Sequence, residues 1–330
     1  MEYCVAIRTL GKAGEKYQRE LNSIMAQTIK PKKILVYLAE GFPIPPETVG
    51  VEQYIYVKKG MQAQRALDYN EVDTPLCLML DDDVELHPES VETMIAALIE
   101  NNADCIAADT FENHKMSFKH KLLAAVTNWV FPHFNKRFGF KINVVGTFSY
   151  PNNPSNGAFP SQSGAGPCSL WKIDAFKRIH FEDEGWLDDE RGFAFSEDML
   201  LFHKLYRNGG KLMVSFGCGA EHLDAKSSSG NYRQDVSKFR KRIYYRYIIW
   251  RRIWIDAADI SATKKFFIRL AYLIKSCWDF GIFLLLSIAT FSLNPLKGFF
   301  SGWRQARRFV KSKEYKSIPN YIIQKKNINE

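Results

Sequence analysis

Short apolar runs alternate with amphipathic stretches along the first two thirds of the chain. Runs of four or five mostly apolar residues, which are typical of buried strands, occupy 3–7, 34–38, 54–57, 77–80 and 105–108. Between them, residues 17–27 and 88–99 place apolar side chains three and four positions apart, which predicts helices. Strands and helices alternating at this spacing predict an α/β fold with a doubly wound, mostly parallel sheet flanked by helices.

The pattern continues less regularly beyond residue 110. Residues 167–171 and 211–216 read as further strands, and 60–67 and 196–208 have helical spacing. The stretch 111–166 is irregular and rich in Pro, Asn, Gly and Ser, apart from a possible amphipathic helix near 122–131. A loop of this length inside a compact domain is often functional, so we expect it to help select an acceptor.

Three consecutive aspartates, Asp81, Asp82 and Asp83, follow the apolar run 77–80. The carboxyl end of a strand in an open α/β sheet is where ligands bind. Side chains alternate along a strand, so we expect Asp81 and Asp83 to face the same way. Two such carboxylates repel unless a cation lies between them, and Mg²⁺ commonly takes one or two carboxylates beside substrate phosphates. The alternative is a solvated acidic turn before the next helix.

A second acidic pair opens the predicted helix 196–208. Ser196 is placed as an N-cap, so Glu197 and Asp198 fall in the first turn, where the helix dipole stabilises them. Three aromatic residues lie just upstream: Trp186, Phe193 and Phe195. An aspartate beside such an apolar wall can be desolvated and act as a general base. The plain alternative is an ordinary acidic helix start.

His222 follows the predicted strand 211–216 and two glycines. Neutral imidazole is a common metal ligand. Because the aspartates already predict a metal site, His222 is a candidate ligand. A structural role for this single histidine is equally open.

Charge divides the chain into two parts. Residues 1–225 carry a net charge of −7, whereas residues 226–330 carry 22 Lys/Arg and 6 Asp/Glu, a net charge of +16. We therefore predict a catalytic domain over 1–225 and a helical, basic, aromatic-rich extension over 226–330. A basic segment of this kind suits an anionic surface, either membrane or nucleic acid.

The extension contains an uncharged segment of 17 residues, 280–296. This length is at the lower limit for a helix that spans a bilayer. Lys275 and Asp279 interrupt the preceding turns. We therefore expect an interfacial or re-entrant helix, rather than a full crossing.

These segments together resemble the family 2 glycosyltransferases of the GT-A fold. The resemblance runs from residue 3 to about residue 224, and it rests on the order and spacing of five motifs. They are Arg8-Thr9, LNSIMAQT (21–28), KGMQAQRA (59–66), LDDD (80–83) and SEDML (196–200). The chain looks most like bacterial members that decorate surface polysaccharides. The resemblance implies a Rossmann-like GT-A sheet.

The resemblance also implies roles for individual residues. Asp198 matches the catalytic base, and Trp186 and Glu197 are expected to contact the acceptor. The metal, Mn²⁺ or Mg²⁺, is expected on Asp81, Asp83 and His222. Contacts to the nucleotide donor are expected from Thr9, Glu40, Arg65, Asp81 and Asp82. Glu40 stands where related enzymes often have Asp-Asp-Gly-Ser, with an acid that contacts the base.

The function implied is inverting transfer of a sugar from a nucleotide-diphosphate donor to a hydroxyl of a glycan or lipid-linked acceptor, in cell-surface polysaccharide synthesis. Six scattered cysteines without a Cys-x-x-Cys pair indicate reduced thiols. We therefore expect the cytoplasmic face of a bacterial inner membrane, with peripheral or monotopic attachment, or a soluble cytoplasmic protein. No nucleic-acid partner is expected, because no recognition motif for one is present.

Two alternative functions remain open from the sequence. One is a Mg²⁺-dependent phosphatase or phosphotransferase that uses the cluster Asp81–Asp83. The other is a membrane- or nucleic-acid-binding protein that acts through its basic extension and leaves the acids without a role.

Overall fold

A computed structural model describes residues 1–110, 117–190, 192–223 and 236–323. The chain divides into two compact units. Unit 1 comprises Met1–Ser117, Pro132–Lys141 and Tyr150–Ser228, and unit 2 comprises Phe118–Phe131, Ile142–Ser149 and Ser229–Glu330. The boundary expected at residue 225 lies outside the described residues, so the division into 1–225 and 226–330 stays a prediction.

The described residues contain thirteen strands and nine α-helices. The strands are β1 (Tyr3–Thr9), β2 (Ile34–Ala39), β3 (Glu52–Val57), β4 (Leu76–Asp81), β5 (Val84–Leu86), β6 (Cys105–Ala108), β7 (Phe131–His133), β8 (Lys141–Ile142), β9 (Phe148–Pro151), β10 (Gly157–Pro160), β11 (Cys168–Lys172), β12 (Leu212–Phe216) and β13 (Ala220–His222). The helices are α1 (Glu15–Met25), α2 (Ser90–Glu100), α3 (Phe118–Asn128), α4 (Ile173–Lys177), α5 (Glu197–Arg207), α6 (Val236–Trp250), α7 (Ala262–Ala289), α8 (Asn294–Phe309) and α9 (Lys313–Ser317).

An eight-stranded sheet forms the centre of unit 1, in the order β10-β12-β6-β11-β4-β1-β2-β3. Strands β4, β1, β2 and β3 run parallel to one another, and β6 runs parallel to β12. Strand β11 is antiparallel to both β4 and β6, and β10 is antiparallel to β12. The predicted mostly parallel α/β sheet is therefore confirmed, with its parallel order interrupted at β11.

The core of unit 1 explains why its central strands are apolar on both faces. Every residue of β1 is buried, and the first five residues of β4 are buried as well. Helices α1 and α2 contribute apolar side chains such as Leu21, Val91 and Met94 to this core. Strands covered on both faces do not alternate polar and apolar positions. The apolar runs 3–7 and 77–80 lack this alternation, as expected for such strands.

Unit 2 contains the long helix α7 and the strongly basic helices around it. The uncharged segment 280–296 does not form one helix, because α7 ends at Ala289 and α8 begins at Asn294. Pro295 stands in the first turn of α8, where its missing N–H is tolerated, whereas it cannot continue a helix interior. By length and composition, α7 is the one described helix that is apolar enough to cross a membrane.

Candidate active site

The carboxyl ends of the parallel strands β1 and β4 meet at one edge of the sheet. Strand β1 ends with Arg8 and Thr9, and β4 ends with Asp81, which stands opposite Arg8 in the strand register. The chain turns after Asp81, and β5 begins at Val84. Asp82 and Asp83 therefore lie in a turn, and the alternation expected across the three aspartates does not extend to Asp83.

Asp81 is held between two arginines. Its Oδ1 accepts a hydrogen bond from Arg8 Nη2 at 2.8 Å, and its Oδ2 lies 3.0 Å from Arg65 Nη2. Arg65 Nη1 also donates to the carbonyl oxygen of Gly166 at 2.9 Å. Burial alone raises the pKa of Asp81, but Arg65 and Arg8 outweigh it, and the pKa lies below its usual range. Asp81 is therefore a fixed anion that orders two cations.

Asp82 contacts Thr9, the last residue of β1. Thr9 Oγ1 donates to Asp82 Oδ2 at 2.5 Å, and the amide of Gly11 donates to Thr9 Oγ1 at 2.7 Å. Burial, together with the charges of Asp83 and Asp81, raises the pKa of Asp82 to about 7 against the lowering effect of Thr9. The predicted donor-side residues Thr9 and Asp82 are thus in direct contact.

Asp83 and His222 are brought together by a two-stranded sheet. Strand β13 pairs antiparallel with β5, which sets His222 opposite Val84. His222 Nε2 lies 3.1 Å from Asp83 Oδ1, and the amide of Leu223 donates to the carbonyl oxygen of Asp83 at 2.8 Å. The structure therefore joins two of the three predicted metal ligands, Asp83 and His222, and places the third, Asp81, with the arginines instead.

Helix α1 fixes the position of strand β5. Glu20 Oε2 accepts a hydrogen bond from the amide of Val84 at 3.3 Å, and Ser23 Oγ accepts one from the amide of Leu86 at 3.1 Å. Burial, with the charges of the nearby aspartates, raises the pKa of Glu20 well above its usual range. Helix α1 thereby sets the turn that carries Asp82 and Asp83.

Glu197 and Asp198 open helix α5, as the sequence predicts. Ser196 does not cap the helix: its backbone is left-handed (φ 58°), and its side chain makes no cap hydrogen bond. The first-turn amides are met instead by Asp198 Oδ1, which accepts from Met199 at 2.7 Å. A non-glycine residue in this conformation is uncommon and marks a constrained turn, so Ser196 sets the direction from which the two acids enter the site.

Arg65 connects this acidic pair to Asp81. Its Nε lies 3.4 Å from Glu197 Oε1. Burial and the charge of Asp198 raise the pKa of Glu197 to about 7, and burial raises the pKa of Asp198 above its usual range although Arg65 opposes this. A carboxylate with a raised pKa is a stronger base than a solvated one. The raised pKa therefore makes the Asp198 carboxylate more basic than a solvated aspartate.

Gly166 makes the contact between Arg65 and the acids possible. A Cβ at this position would lie 2.9 Å from both Arg65 Nη2 and Asp198 Cβ, which is closer than real Cβ contacts. Any other residue would push the guanidinium away from the carboxylates. The sequence offered no signal for this role beyond the glycine itself.

Trp186 belongs to a 3₁₀-helical segment, Phe181–Leu187, that a buried ion pair holds in place. Its Nε1 donates to Glu184 Oε2 at 2.7 Å, and Glu184 Oε1 lies 3.4 Å from Lys204 Nζ. Glu184 and Lys204 are both completely buried. A buried ion pair with its hydrogen bonds met specifies geometry more than stability, so this pair orients the indole of Trp186.

Glu40 is exposed at the end of β2, where its amide donates to the carbonyl oxygen of Val57 at 2.8 Å. Among the described residues, the carboxylate of Glu40 takes no part in the hydrogen bonds and ion pairs that connect the other acids of the site. Its expected contact with the nucleotide base stays a prediction.

Asp188 was not identified from the sequence, yet it ties two site segments together. Its Oδ1 and Oδ2 accept hydrogen bonds from the amides of Gln62 and Ala63, both at 2.9 Å. Gly60 has no side chain, and a Cβ there would collide with this carboxylate. The helix predicted over 60–67 is wrong: the segment forms consecutive turns. This turn presents Arg65.

Removal of the Asp188 carboxylate should loosen the turn that carries Arg65. We expect Asp188→Ala to lower the free energy of unfolding by about 1–3 kcal/mol, since two part-buried amides lose their acceptor, and to weaken donor binding. Asp188→Asn, which keeps one acceptor oxygen, should lose less. Chemical denaturation and donor titration measure both effects. Glu182→Ala, at an exposed acid of the same loop, is the control; equal losses in the two alanine variants would refute the role of Asp188.

No family model matches this chain, and no curated protein matches it. Its structure is similar to the crystal structure of GalNAc-T7 with UDP, GalNAc and Mn²⁺, with a TM-score of 0.50 and 11% sequence identity. The match covers 97% of this chain and 58% of that one. The chain has a GT-A-type glycosyltransferase fold.

The fold expected from the motifs is thereby confirmed, including the helical C-terminal region. A second similar structure is that of S. aureus TarS, with a TM-score of 0.48 and 12% identity over 83% of this chain and 43% of that chain. The assignment of the fold rests on the first match. This chain spans 58% of the length of the GalNAc-T7 chain, and the match shows the fold alone.

Proposed function

We propose that the protein is an inverting, metal-dependent glycosyltransferase that moves a sugar from a nucleotide diphosphate to an acceptor hydroxyl. The observation that carries the proposal is that two pairs of side chains lie at the carboxyl edge of β4 in a GT-A fold. One pair is Asp83 with His222, and the other is Glu197 with Asp198, tied to Asp81 through Arg65. This edge is the ligand crevice of such sheets.

The donor side of the proposed site combines cations with hydrogen-bonding groups. Arg8 and Arg65 are both almost completely buried and share the carboxylate of Asp81. Their guanidinium groups supply fixed positive charge near the diphosphate, where negative charge grows as the sugar leaves. The contact between Thr9 and Asp82 offers a hydroxyl and a carboxyl to the nucleotide.

The side chains of the proposed site fit the divalent metal that the fold implies. Asp83 and His222 offer one carboxylate oxygen and one imidazole nitrogen at 3.1 Å, and Mn²⁺ accepts both ligand types. Within the described residues, no group of three or more His, Cys, Asp or Glu is arranged to hold a metal, so an ion on Asp83 and His222 would need the diphosphate and water as its other ligands. Asp83 and His222 would hold the ion, which would neutralise charge on the departing diphosphate.

The chemical step follows from the position and basicity of Asp198. The acceptor oxygen attacks the anomeric carbon of the donor sugar. The bond between this carbon and the diphosphate oxygen breaks, and the nucleoside diphosphate leaves with the electron pair. Asp198 takes the proton of the attacking hydroxyl. One displacement with one base inverts the anomeric configuration. We place the acceptor against Trp186 and Glu197, since both belong to the segments that lead into Asp198.

For the acceptor we propose a glycan or a lipid-linked saccharide, made for the cell surface at the cytoplasmic side of the membrane. The charge of the C-terminal extension supports this location. The phosphatase alternative needs a free nucleophilic aspartate, and Asp81 is instead held by two arginines.

A screen of nucleotide sugars tests the proposed function. UDP-, GDP-, CDP- and dTDP-sugars are incubated with the full chain and Mn²⁺ or Mg²⁺, with and without EDTA. Release of nucleoside diphosphate and donor binding are measured in the same samples. We expect one donor class to bind in a chelator-sensitive way. If no donor binds in the presence of metal, the proposal fails; a covalent aspartyl phosphate would support the phosphatase instead.

A further inference from the structure

Helix α7 exposes a continuous apolar face to solvent. Its exposed side carries large apolar side chains along the whole helix, among them Phe266, Leu270, Leu273, Trp278, Leu285 and Ile288, which are 46–64% exposed. At 100° per residue these six fall within an arc of about 140° and extend over about 33 Å. We call this surface the apolar strip.

The buried side of α7 is mixed, with Ile268, Tyr272 and Phe283 beside the polar residues Lys275, Asp279 and Ser287. Lys275 and Asp279 are 1% and 5% exposed and form an ion pair with each other. The remaining charged residues of the helix, Lys264, Lys265 and Arg269, also lie outside the arc of the apolar strip. The exposed face of a surface helix in water is usually polar, whereas the arc of the apolar strip contains no charged residue. The outer face of α7 is therefore suited to an apolar environment.

A band of positive charge adjoins the apolar strip. Helix α8 buries one face. Its other face presents Trp303, Arg304, Arg307 and Arg308, which line a shallow cavity of about 420 Å³ together with Lys311, just beyond the end of the helix. The guanidinium of Arg307 lies 4.8 Å from the ring centroid of Trp303. The two helices meet at Phe280 and Phe300, whose ring centroids are 5.9 Å apart. The apolar strip and the cationic face are therefore contiguous within unit 2.

We propose that unit 2 is a docking surface for an anionic lipid bilayer, with α7 lying in the plane of one leaflet. The apolar strip enters the boundary between headgroups and acyl chains, and Arg304, Arg307 and Arg308 contact lipid phosphates. A basic amphipathic face beside exposed Trp, Phe and Leu is the signature of an interfacial helix. Crossing is disfavoured because Lys275 and Asp279 lie near the middle of α7, where a crossing helix rarely carries charged residues.

The proposal does not depend on the catalytic one, because vesicle binding is measured without substrate. The full chain is sedimented with vesicles of phosphatidylcholine alone or with 30% phosphatidylglycerol added. We expect binding to the anionic vesicles only. Leu273→Glu with Leu285→Glu should abolish it, and glutamines at Arg304, Arg307 and Arg308 should weaken it about a hundredfold at low salt.

Matched controls lie in unit 1. Ile99→Glu changes an apolar residue on α2 that is 54% exposed. Glutamines at Arg137, Lys177 and Arg178 remove three exposed cations. Binding that falls equally in these controls would refute a specific surface. Vesicle binding unchanged in the α7 variant, together with loss of a dimer in sedimentation velocity, would show that a second copy covers the strip and would overturn the proposal.

The orientation of α7 is tested through its own cysteine. Cys277 is exposed in the middle of the apolar strip, and the other five cysteines are buried. A polarity-sensitive dye on Cys277 should shift to the blue on anionic vesicles and be quenched most by lipids labelled near the headgroup. Strongest quenching by lipids labelled at the acyl end would show that α7 crosses the bilayer. No spectral change would show that the strip stays in water.

Discussion

Replacement of Asp198 with asparagine is expected to lower the turnover of sugar transfer by about 10²–10⁴-fold and to leave donor affinity unchanged. The carboxamide has nearly the same shape and still accepts the hydrogen bond from Met199, but it cannot take a proton from the acceptor hydroxyl. Turnover is measured as nucleoside diphosphate release with the identified donor, and affinity by calorimetry.

The control for Asp198→Asn is Asp174→Asn, which makes the same change at an exposed residue of α4. It should behave as the wild type. Turnover of Asp198→Asn within a factor of three of the wild type would remove Asp198 from the role of base. A parallel loss of donor binding would indicate a structural role through Arg65 instead.

The pH profile of the wild type provides an independent check on the base. Asp198 must be ionised to accept a proton, and burial raises its pKa. The ionised fraction therefore falls as the pH falls through that raised value, so turnover should decline on the acid side at a pH above the usual carboxyl range. Because the pKa of the adjacent Glu197 is raised to about 7, the limb reports the pair. A flat profile between pH 5 and 8 would contradict this expectation.

Loss of either member of the Asp83–His222 pair is expected to remove metal-dependent donor binding. Outer-shell partners of metal ligands already contribute 10–100-fold in metal affinity, so Asp83→Asn and His222→Gln should each lose about 100-fold or more. Donor affinity should fall to the value that the wild type shows in EDTA, and EDTA should then have no further effect. Titration of Mn²⁺ and donor by calorimetry measures both quantities.

Two further variants separate the metal pair from its surroundings. Glu85→Gln changes a partly exposed acid on β5, the strand that follows Asp83, and should retain metal-dependent binding. Asp81→Asn should lower the melting temperature with or without metal, since Arg8 and Arg65 lose their shared anion. If Asp81→Asn instead abolishes the metal effect and Asp83→Asn does not, the ligand assignment must be reversed.

The first half of the fold was predictable because each central strand is buried on both faces. Leu78 and Val5, for example, lie in strands without a polar face, and such runs can hardly form anything but interior β-structure. The turn over 60–66 was not predictable, because its amides bond to Asp188, which lies more than 120 residues further along the chain. Local spacing indicates a helix there, but it carries no information about this contact with Asp188.

By itself, the sequence determined the α/β class, the acids at the end of β4 and at the start of α5, and the basic character of the C-terminal region. These properties depend on residues that are close along the chain. Only the tertiary structure decided that Asp81 pairs with Arg8 and Arg65, that Asp83 meets His222, and that α7 turns Lys275 inward and its apolar strip outward. The physical reason is that ion pairs and the facing of helices are set by packing between distant segments, which periodicity along the chain does not encode.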